Sequence, residues 1–361
     1  MSEKLKDYVC IKPFTYLDAH QDQQWLCCPS WAPTGIRPPE DNENNLLDNW
    51  NSYVAKDIRK SVYDGSYKHC DSKVCPSLNQ LINGGDVWYN FLHKTEFNKK
   101  FNVRNEEEAA NYSGMPTYVM FGFDRSCNLK CPSCRFDIVK NDDEDSIEYK
   151  KKKKMLETIE NDFGKTLEFM MITGSGDPFY SNIFRDYLIN FDESKYPNLR
   201  DIFLVTNGNL LNETMWNKLK SKRFIRGMEI SIDAGNKETY EGVTRLGGRW
   251  DKLISNLQFL STVKTIENLT LSMVVSEYNF REMKLFYATM TDIFQYSKIK
   301  LQINYRQLLY WGTGAYTTDQ IKALSIFDTD HPKHKDFLYE LNKIHGLDMV
   351  THNFHHLVGK A

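Results

Sequence analysis

Asp124-Arg-Ser-Cys-Asn-Leu-Lys-Cys-Pro-Ser-Cys-Arg135 sets cysteines at positions 127, 131 and 134, a C-x3-C-x2-C spacing that lets one loop wrap one metal centre. Three thiolates bind three irons of a 4Fe-4S cubane and leave the fourth iron open. Structural zinc would want a fourth protein ligand close by, from a second C-x2-C or an H-x3-H pair, and neither follows.

Outward from this loop the chain alternates short β-rich runs with longer helical ones, the signature of repeated βα units around a parallel sheet. Strands are expected at Tyr118–Phe123, Leu167–Thr173, Asp201–Val205, Gly227–Ile232, Asn268–Val275 and Lys298–Tyr305. Helices are expected at Ile147–Asp162, Glu213–Ser221, Lys237–Val263, Phe280–Gln295 and His334–Ile344, each with apolar residues at three- and four-residue intervals. Six such strands predict an α/β fold, a partial (βα)6 TIM-type barrel. Lysines 150–154 follow the acidic run Asn141-Asp-Asp-Glu-Asp145 and read as a solvated helix face.

The chain has 361 residues and a formal net charge of -2. No global basic field draws it to nucleic acid or to anionic membranes, so neither is expected as a partner. The opening MSEKLKDYVCIKPF lacks a basic start followed by an apolar stretch, and no apolar run is long enough to span a bilayer; a cytoplasmic location is expected. All eight cysteines (10, 27, 28, 70, 75, 127, 131 and 134) precede residue 135. In a chain of this size without an export signal, clustered cysteines point to metal rather than to disulfides. The first 110 residues read as short irregular segments with a thin core, including the turn-rich stretch that begins at Arg37, and such a segment gains stability from a bound metal. The expected domains are residues 1–112, carrying the N-terminal cysteines, and 113–361, the barrel with its C-terminal helix.

The C-x3-C-x2-C loop after the first barrel strand resembles the radical S-adenosylmethionine superfamily. The resemblance implies that the amino and carboxylate groups of S-adenosylmethionine chelate the open iron, and that cleavage yields a 5'-deoxyadenosyl radical that takes hydrogen from a substrate. Later segments resemble the same family in order. Met171-Ile-Thr-Gly-Ser-Gly-Asp-Pro-Phe179 is similar to its glycine-rich turn, implying Gly174, Ser175, Gly176 and Asp177 around the ammonium. Leu204-Val-Thr-Asn-Gly208 resembles the T-N-G element, implying Thr206 and Asn207. Glu229-Ile-Ser-Ile-Asp233 and the following Thr239-Tyr-Glu-Gly-Val-Thr-Arg245 imply Ser231 and Asp233 at the ribose and Arg245 on the methionine carboxylate. Members commonly carry an aromatic residue before the third cysteine, where this chain has Ser133. Trp311-Gly-Thr-Gly-Ala315 either closes over the adenine or is a plain turn. Thr351-His-Asn-Phe-His-His-Leu357 holds three histidines without a nearby carboxylate and is read as an ordinary chain end.

The N-terminal cysteines resemble SPASM and twitch modules, here preceding the barrel. The resemblance implies a second, auxiliary 4Fe-4S cluster on Cys10, Cys28, Cys70 and Cys75, with Cys28 preferred to Cys27 because those modules place a glycine five residues before the second ligand and Gln23 stands there. Structural zinc on the same four thiolates is the alternative. The resemblance further implies a reductant such as flavodoxin or ferredoxin. The expected activity is radical oxidation or cross-linking of a peptide, with dehydrogenation of a sugar or aminocyclitol alcohol as the alternative. A non-catalytic zinc or iron-sulfur binding protein is the alternative of another class. No catalytic acid or base is singled out.

Overall fold

The computed structural model describes residues 3–37, 45–85, 87, 89–173, 175–310 and 312–358. The chain forms two compact units: residues 1–124, 143–174 and 192–200 make the first, and 125–142, 175–191 and 201–361 the second.

In the first unit, β1 (Tyr8–Cys10) pairs antiparallel with β4 (Phe91–His93). A second sheet runs in the order β3 (Gln24–Trp25), β2 (Tyr16–Ala19), β5 (Tyr118–Phe121), β6 (Phe169–Ile172). β2 to β5 and β5 to β6 are parallel, in the registers Tyr16 with Tyr118 and Tyr118 with Phe169. The first 112 residues are more ordered than their composition suggests. Helices span Tyr53–Tyr63, Pro76–Ile82 and Lys94–Phe101. Phe14, Val62, Tyr63, Leu78, Phe91 and Phe97 belong to a buried core of their own. The thin core expected from sequence is thus corrected: aromatics scattered along the chain converge only in three dimensions.

The fully solvated lysine face is corrected in the same way. The helix Ile147–Thr158, capped by Ser146 accepting from the Tyr149 amide, turns Tyr149, Lys152 and Met155 inward at three-residue spacing. Lys152 Nζ lies 3.4 Å from the Asp124 carboxylate and both side chains are buried, while Lys150, Lys153 and Lys154 face solvent. A buried ammonium is held by such a paired carboxylate.

The second unit contains β7 (Asp201–Thr206), β8 (Gly227–Ser231), β9 (Asn268–Val275), β10 (Lys300–Gln307) and β11 (Val350–His352), adjacent in that order. All are parallel, with Phe203 opposite Gly227, Gly227 opposite Asn268, Asn268 opposite Lys300, and Ile303 opposite Val350. Ile202, Leu204 and Thr206 alternate inward along β7, as a strand's two-residue period requires. All six strands expected for the barrel are present, two of them in the first unit and four in the second, where β11 is a further one.

One expected helix is broken. The span Lys237–Val263 becomes a turn of helix at Lys237–Thr239, a π-turn at Tyr240–Thr244, and a helix at Trp250–Leu260. Gly247 between them has a φ of +91°, which interrupts helical geometry and which glycine adopts without a Cβ penalty. Among the described residues no helix is long and apolar enough to cross a membrane.

At the C-terminus, buried His352 accepts from the Phe354 amide at Nδ1, 3.3 Å, which assigns its hydrogen to Nε2, 3.0 Å from His345 Nδ1. The His355 ring lies 4.5 Å from it. Burial first, then the charges on His355 and His345, lower the His352 pKa from 6.5 to about 4. The unfolded chain therefore takes up a proton below about pH 6.5 that the folded chain refuses until about pH 4, so stability should fall as pH drops through that window. The midpoint of thermal unfolding is expected to decline from pH 7.5 to pH 5, and the His352→Gln variant to decline less steeply. An equal slope in both proteins would reject this role.

Candidate functional site

The site of the second unit lies around the C-terminal ends of its parallel strands, where this architecture collects functional side chains. The cysteine loop is pinned there along its length. Cys127 N donates to Val139 O at 2.8 Å, Lys130 N to Leu246 O at 3.0 Å, and Cys134 N and Arg135 N both to Cys131 O at 2.9 Å. Cys127, Leu129 and Cys131 form one buried group, with Cys134 packed against it.

Each of the three sulfurs faces a side-chain N–H donor. Asn207 Nδ2 stands 3.8 Å from Cys127 Sγ, Arg245 Nη1 3.5 Å from Cys131 Sγ, and Arg135 Nη2 3.5 Å from Cys134 Sγ. Burial pushes the Cys127 thiol up to about 11, with Arg135 pulling the other way, so a thiolate there needs the compensating charge a metal centre brings. Arg245 also pairs with Asp233, Nη2 to Oδ2 at 2.8 Å, with both side chains largely buried. Burial works against the charge on Arg245, but the Asp233 carboxylate outweighs it and holds the guanidinium protonated. Arg245 Nε is buried without a hydrogen-bond partner. A buried orphan donor on a fixed cation suits an anionic oxygen.

The other residues expected at the cofactor are placed as follows. The Asp177 carboxylate is buried and already engaged: it accepts from Thr206 Oγ1 at 2.7 Å, Asn207 N at 3.0 Å and Phe179 N at 3.0 Å. Its own amide donates to Ser126 O at 2.8 Å. Asp177, Thr206 and Asn207 thus form a brace behind the cysteine loop, and Asn207 Nδ2 also donates to Asn128 Oδ1 at 2.9 Å. Ser175 O accepts from Arg135 Nη2 at 2.9 Å, and Gly176 lies between it and Asp177 in the same turn. Gly174 is outside the described residues. Ser231 Oγ lies 3.4 Å from Ser272 Oγ at the end of β8. Asp233 sits at φ +60° and accepts from Val274 N at 2.8 Å, a left-handed backbone that turns its carboxylate toward Arg245. Arg245 itself follows the π-turn in the segment broken by Gly247.

Sequence reasoning missed three contributors. Arg135 closes the motif without a role in the sequence reading, although a cation beside a ligand cysteine is a local signal. Tyr278 and Tyr316, with Pro132, Ser133, Asp233 and Thr244, line a small cleft. The segment after β10 straps the cysteine loop. Thr313 Oγ1 donates to Cys134 O at 2.9 Å and Ala315 N to Pro132 O at 2.8 Å. A Cβ on Gly314 would sit 2.7 Å from Pro132 O, so only glycine allows that approach. Trp311 is outside the described residues.

The N-terminal cysteines are all in the first unit. Cys10 ends β1, Cys70 follows a turn whose Tyr67 carbonyl accepts from its amide at 2.9 Å, and Cys75 precedes the helix Pro76–Ile82. Cys27 and Cys28 follow β3. Among the described residues no group of three or more His, Cys, Asp or Glu side chains stands at the spacing of a single bound ion.

No curated protein matches this chain. It is similar to a solved structure of TYW1 with a lysine-pyruvate adduct bound, at 15% identity over 69% of this chain and 76% of that one, TM-score 0.38. It is also similar to native anSMEcpe with bound AdoMet and Cp18Cys peptide, at 18% identity over 53% of this chain and 50% of that one, TM-score 0.38. An archaeal TYW1 matches at 17% identity over 44% of this chain and 47% of that one, TM-score 0.25. The chain thus spans about half the length of the last two. The model of the Radical SAM superfamily matches residues 123–289, a span that holds the three cysteines, the Asp177 brace and the Arg245–Asp233 pair. Residues 123–289 of this chain form a radical SAM superfamily domain.

Proposed function

We propose that this chain is a radical S-adenosylmethionine enzyme in which Cys127, Cys131 and Cys134 hold a 4Fe-4S cluster. The observation that carries the reading is the triplet of thiols on one loop, each facing an N–H donor, beside an arginine whose Nε is buried and unpartnered. Those residues fit the group: three thiolates from one loop suit a cubane with an open iron, and the donors offset their charge. Such a cluster supplies the electron that breaks a carbon-sulfur bond of S-adenosylmethionine and so releases the 5'-deoxyadenosyl radical.

The chain's own residues then bind and orient. Arg245 Nε receives the methionine carboxylate, while Asp233 fixes the guanidinium so that this donor stays aimed. The backbone of Ser175 and Gly176 takes the ammonium, with Asp177 supporting that turn from behind. Ser231 hydrogen-bonds the ribose, and Tyr278 and Tyr316 exclude water beside Ser133. A dry site protects a carbon radical from quenching.

In the first unit Cys10, Cys70, Cys75 and one of the adjacent pair Cys27 and Cys28 hold an auxiliary cluster, in a twitch-like module over residues 1–112. Such a cluster accepts the second electron of a net two-electron oxidation. The substrate class we propose is a peptide, oxidised or cross-linked; the reductant is a flavodoxin or ferredoxin, which places the enzyme in the cytoplasm. The test is anaerobic reconstitution with iron and sulfide, followed by dithionite and S-adenosylmethionine. Roughly eight irons per chain with formation of 5'-deoxyadenosine supports the reading. Zinc alone, or iron without cleavage under strong reduction, rejects it.

A further inference from the structure

Along the helix Tyr53–Tyr63 in the first unit, Ala55, Ile58 and Val62 recur at three- and four-residue intervals and are buried, and Arg59 lies on the same inward face with no exposed surface. A cation therefore stands where the helical period puts an apolar side chain. Its Nε donates to Pro13 O at 2.9 Å, and its guanidinium carbon lies 4.3 Å over the ring of buried Trp50. Nη1 and Nη2 are both buried without a hydrogen-bond partner among the described residues. No carboxylate acts on the group; burial weakens its hold on the proton, and the Tyr112 phenol is the one acidic group that opposes this. A buried charge without a counterion is strongly destabilising, and orphan donors on it add to that cost.

We propose that Arg59 is the anchor of a ligand site in the first unit, where Nη1 and Nη2 receive the two oxygens of a small organic monocarboxylate that enters past Tyr112. The site shares no residue with the proposed cysteine ligands and does not depend on them.

The geometry selects a carboxylate. Pro13 O takes Nε and Trp50 covers one face of the guanidinium, so the edge carrying the two Nη groups is what remains, and parallel N–H donors on that edge match two oxygens of one planar anion. Charge selects a monoanion. One guanidinium offsets one negative charge, whereas a dianion such as phosphate would bring a second into the core unpaired.

Two links join Arg59 to the surface. Trp50 Nε1 donates to Gly114 O at 2.8 Å, and the Tyr112 phenol lies against the Cα of Gly114, where any side chain would meet it. Tyr112 and Gly114 in turn line a solvent-open cleft with Phe101, Asn102 and Val103. The half-buried Tyr112 ring is held by edge contacts to Phe14 and Phe101, at centroid distances of 5.4 and 5.7 Å, and not by its hydroxyl, which no hydrogen bond engages among the described residues. A ring packed without a polar tether is free to swing, and its displacement opens the path from the cleft to Arg59.

The experiment is thermal unfolding of the full-length chain in sodium acetate, with sodium chloride and sodium phosphate at equal ionic strength and pH as comparisons. Acetate should raise the midpoint saturably by a few degrees, because it binds the folded chain alone. Arg59→Met should lose that response, and in chloride should unfold no earlier than wild type, since no unpaired charge remains. Arg59→Lys keeps the charge without the planar fork and should need about tenfold more acetate for half the effect; it carries the comparison if far-UV circular dichroism shows Arg59→Met unfolded. Saturation transfer from the protein to the acetate methyl group should be seen in wild type and be lost with the arginine. Tyr112→Ala should reach half-saturation at lower acetate. An equal acetate response in wild type and both Arg59 variants, or neither response nor saturation transfer in wild type, overturns the site. An Arg59-dependent response to phosphate as large as that to acetate overturns the monocarboxylate assignment, and an unchanged half-saturation in Tyr112→Ala overturns the route.

Discussion

Replacing Cys127 by alanine is expected to leave 5'-deoxyadenosine formation at the protein-free background, the largest effect of any single substitution in this chain. Cys127 is one of the three ligands proposed, and the loop has no substitute: the described cysteines outside it all belong to the first unit. The fold should survive the change. The Cys127 side chain is small, and the loop around it is pinned by main-chain bonds from Cys127 N, Lys130 N, Cys134 N and Arg135 N that alanine leaves intact. A cavity of one sulfur costs on the order of 1 kcal/mol. The readouts are product by chromatography and unfolding of the metal-free protein by urea. Cleavage that persists at a tenth of the wild-type rate or more would remove Cys127 from the ligand set. Total unfolding would mean that the loop depends on this thiol for more than metal.

The second large effect is expected at the Arg245–Asp233 pair. Its Nη2–Oδ2 distance is 2.8 Å and its side chains are 13% and 7% exposed, so neither charge is solvated well enough to stand alone. Removing one partner of a buried pair leaves an uncompensated charge and costs about 3–5 kcal/mol. For a domain of this size that lowers the melting midpoint by on the order of 10 °C. Arg245→Gln and Asp233→Asn should each show this loss in the metal-free protein, and the double variant should recover part of it because no unpaired charge remains. The functional readouts separate the two residues. Arg245→Gln should abolish S-adenosylmethionine binding measured by calorimetry on reconstituted protein, since Nε is the orphan donor. Asp233→Asn should weaken binding less, because the guanidinium keeps its charge and loses only its orientation. A cost below 1 kcal/mol for both single variants would mark the pair as an ordinary surface ion pair. Equal binding in wild type and Arg245→Gln would remove the carboxylate role.

Much of this site is legible in sequence because it is local. Cys127, Cys131 and Cys134 fall on one loop whatever the rest of the chain does, so their spacing alone brings them together. The six strand runs are legible because alternation along a strand and the length of the intervening segments are properties of the chain itself. The helix at His334–Ile344 is found where its apolar periodicity puts it. The glycines at 247 and 248 are equally visible, and the continuous helix Lys237–Val263 fails because its apolar period outweighs two adjacent helix breakers in the sequence reading but not in the fold.

What sequence by itself determined, then, is the three-cysteine loop and the individual strand runs, since both follow from spacing along a connected chain. Tertiary structure alone decided which side chains meet across that chain. Asp233 faces Arg245 because one residue adopts a left-handed backbone and the other follows a broken helix. Asp177 braces the cysteine loop because the Thr206 hydroxyl and the Asn207 amide at the end of β7 donate to its carboxylate. Lys152 turns inward because helical period, not charge, sets its direction, and the Asp124 carboxylate lies within its reach. The direction of a side chain in a turn depends on backbone dihedrals that no spacing rule contains, so contacts of this kind are decided by the fold.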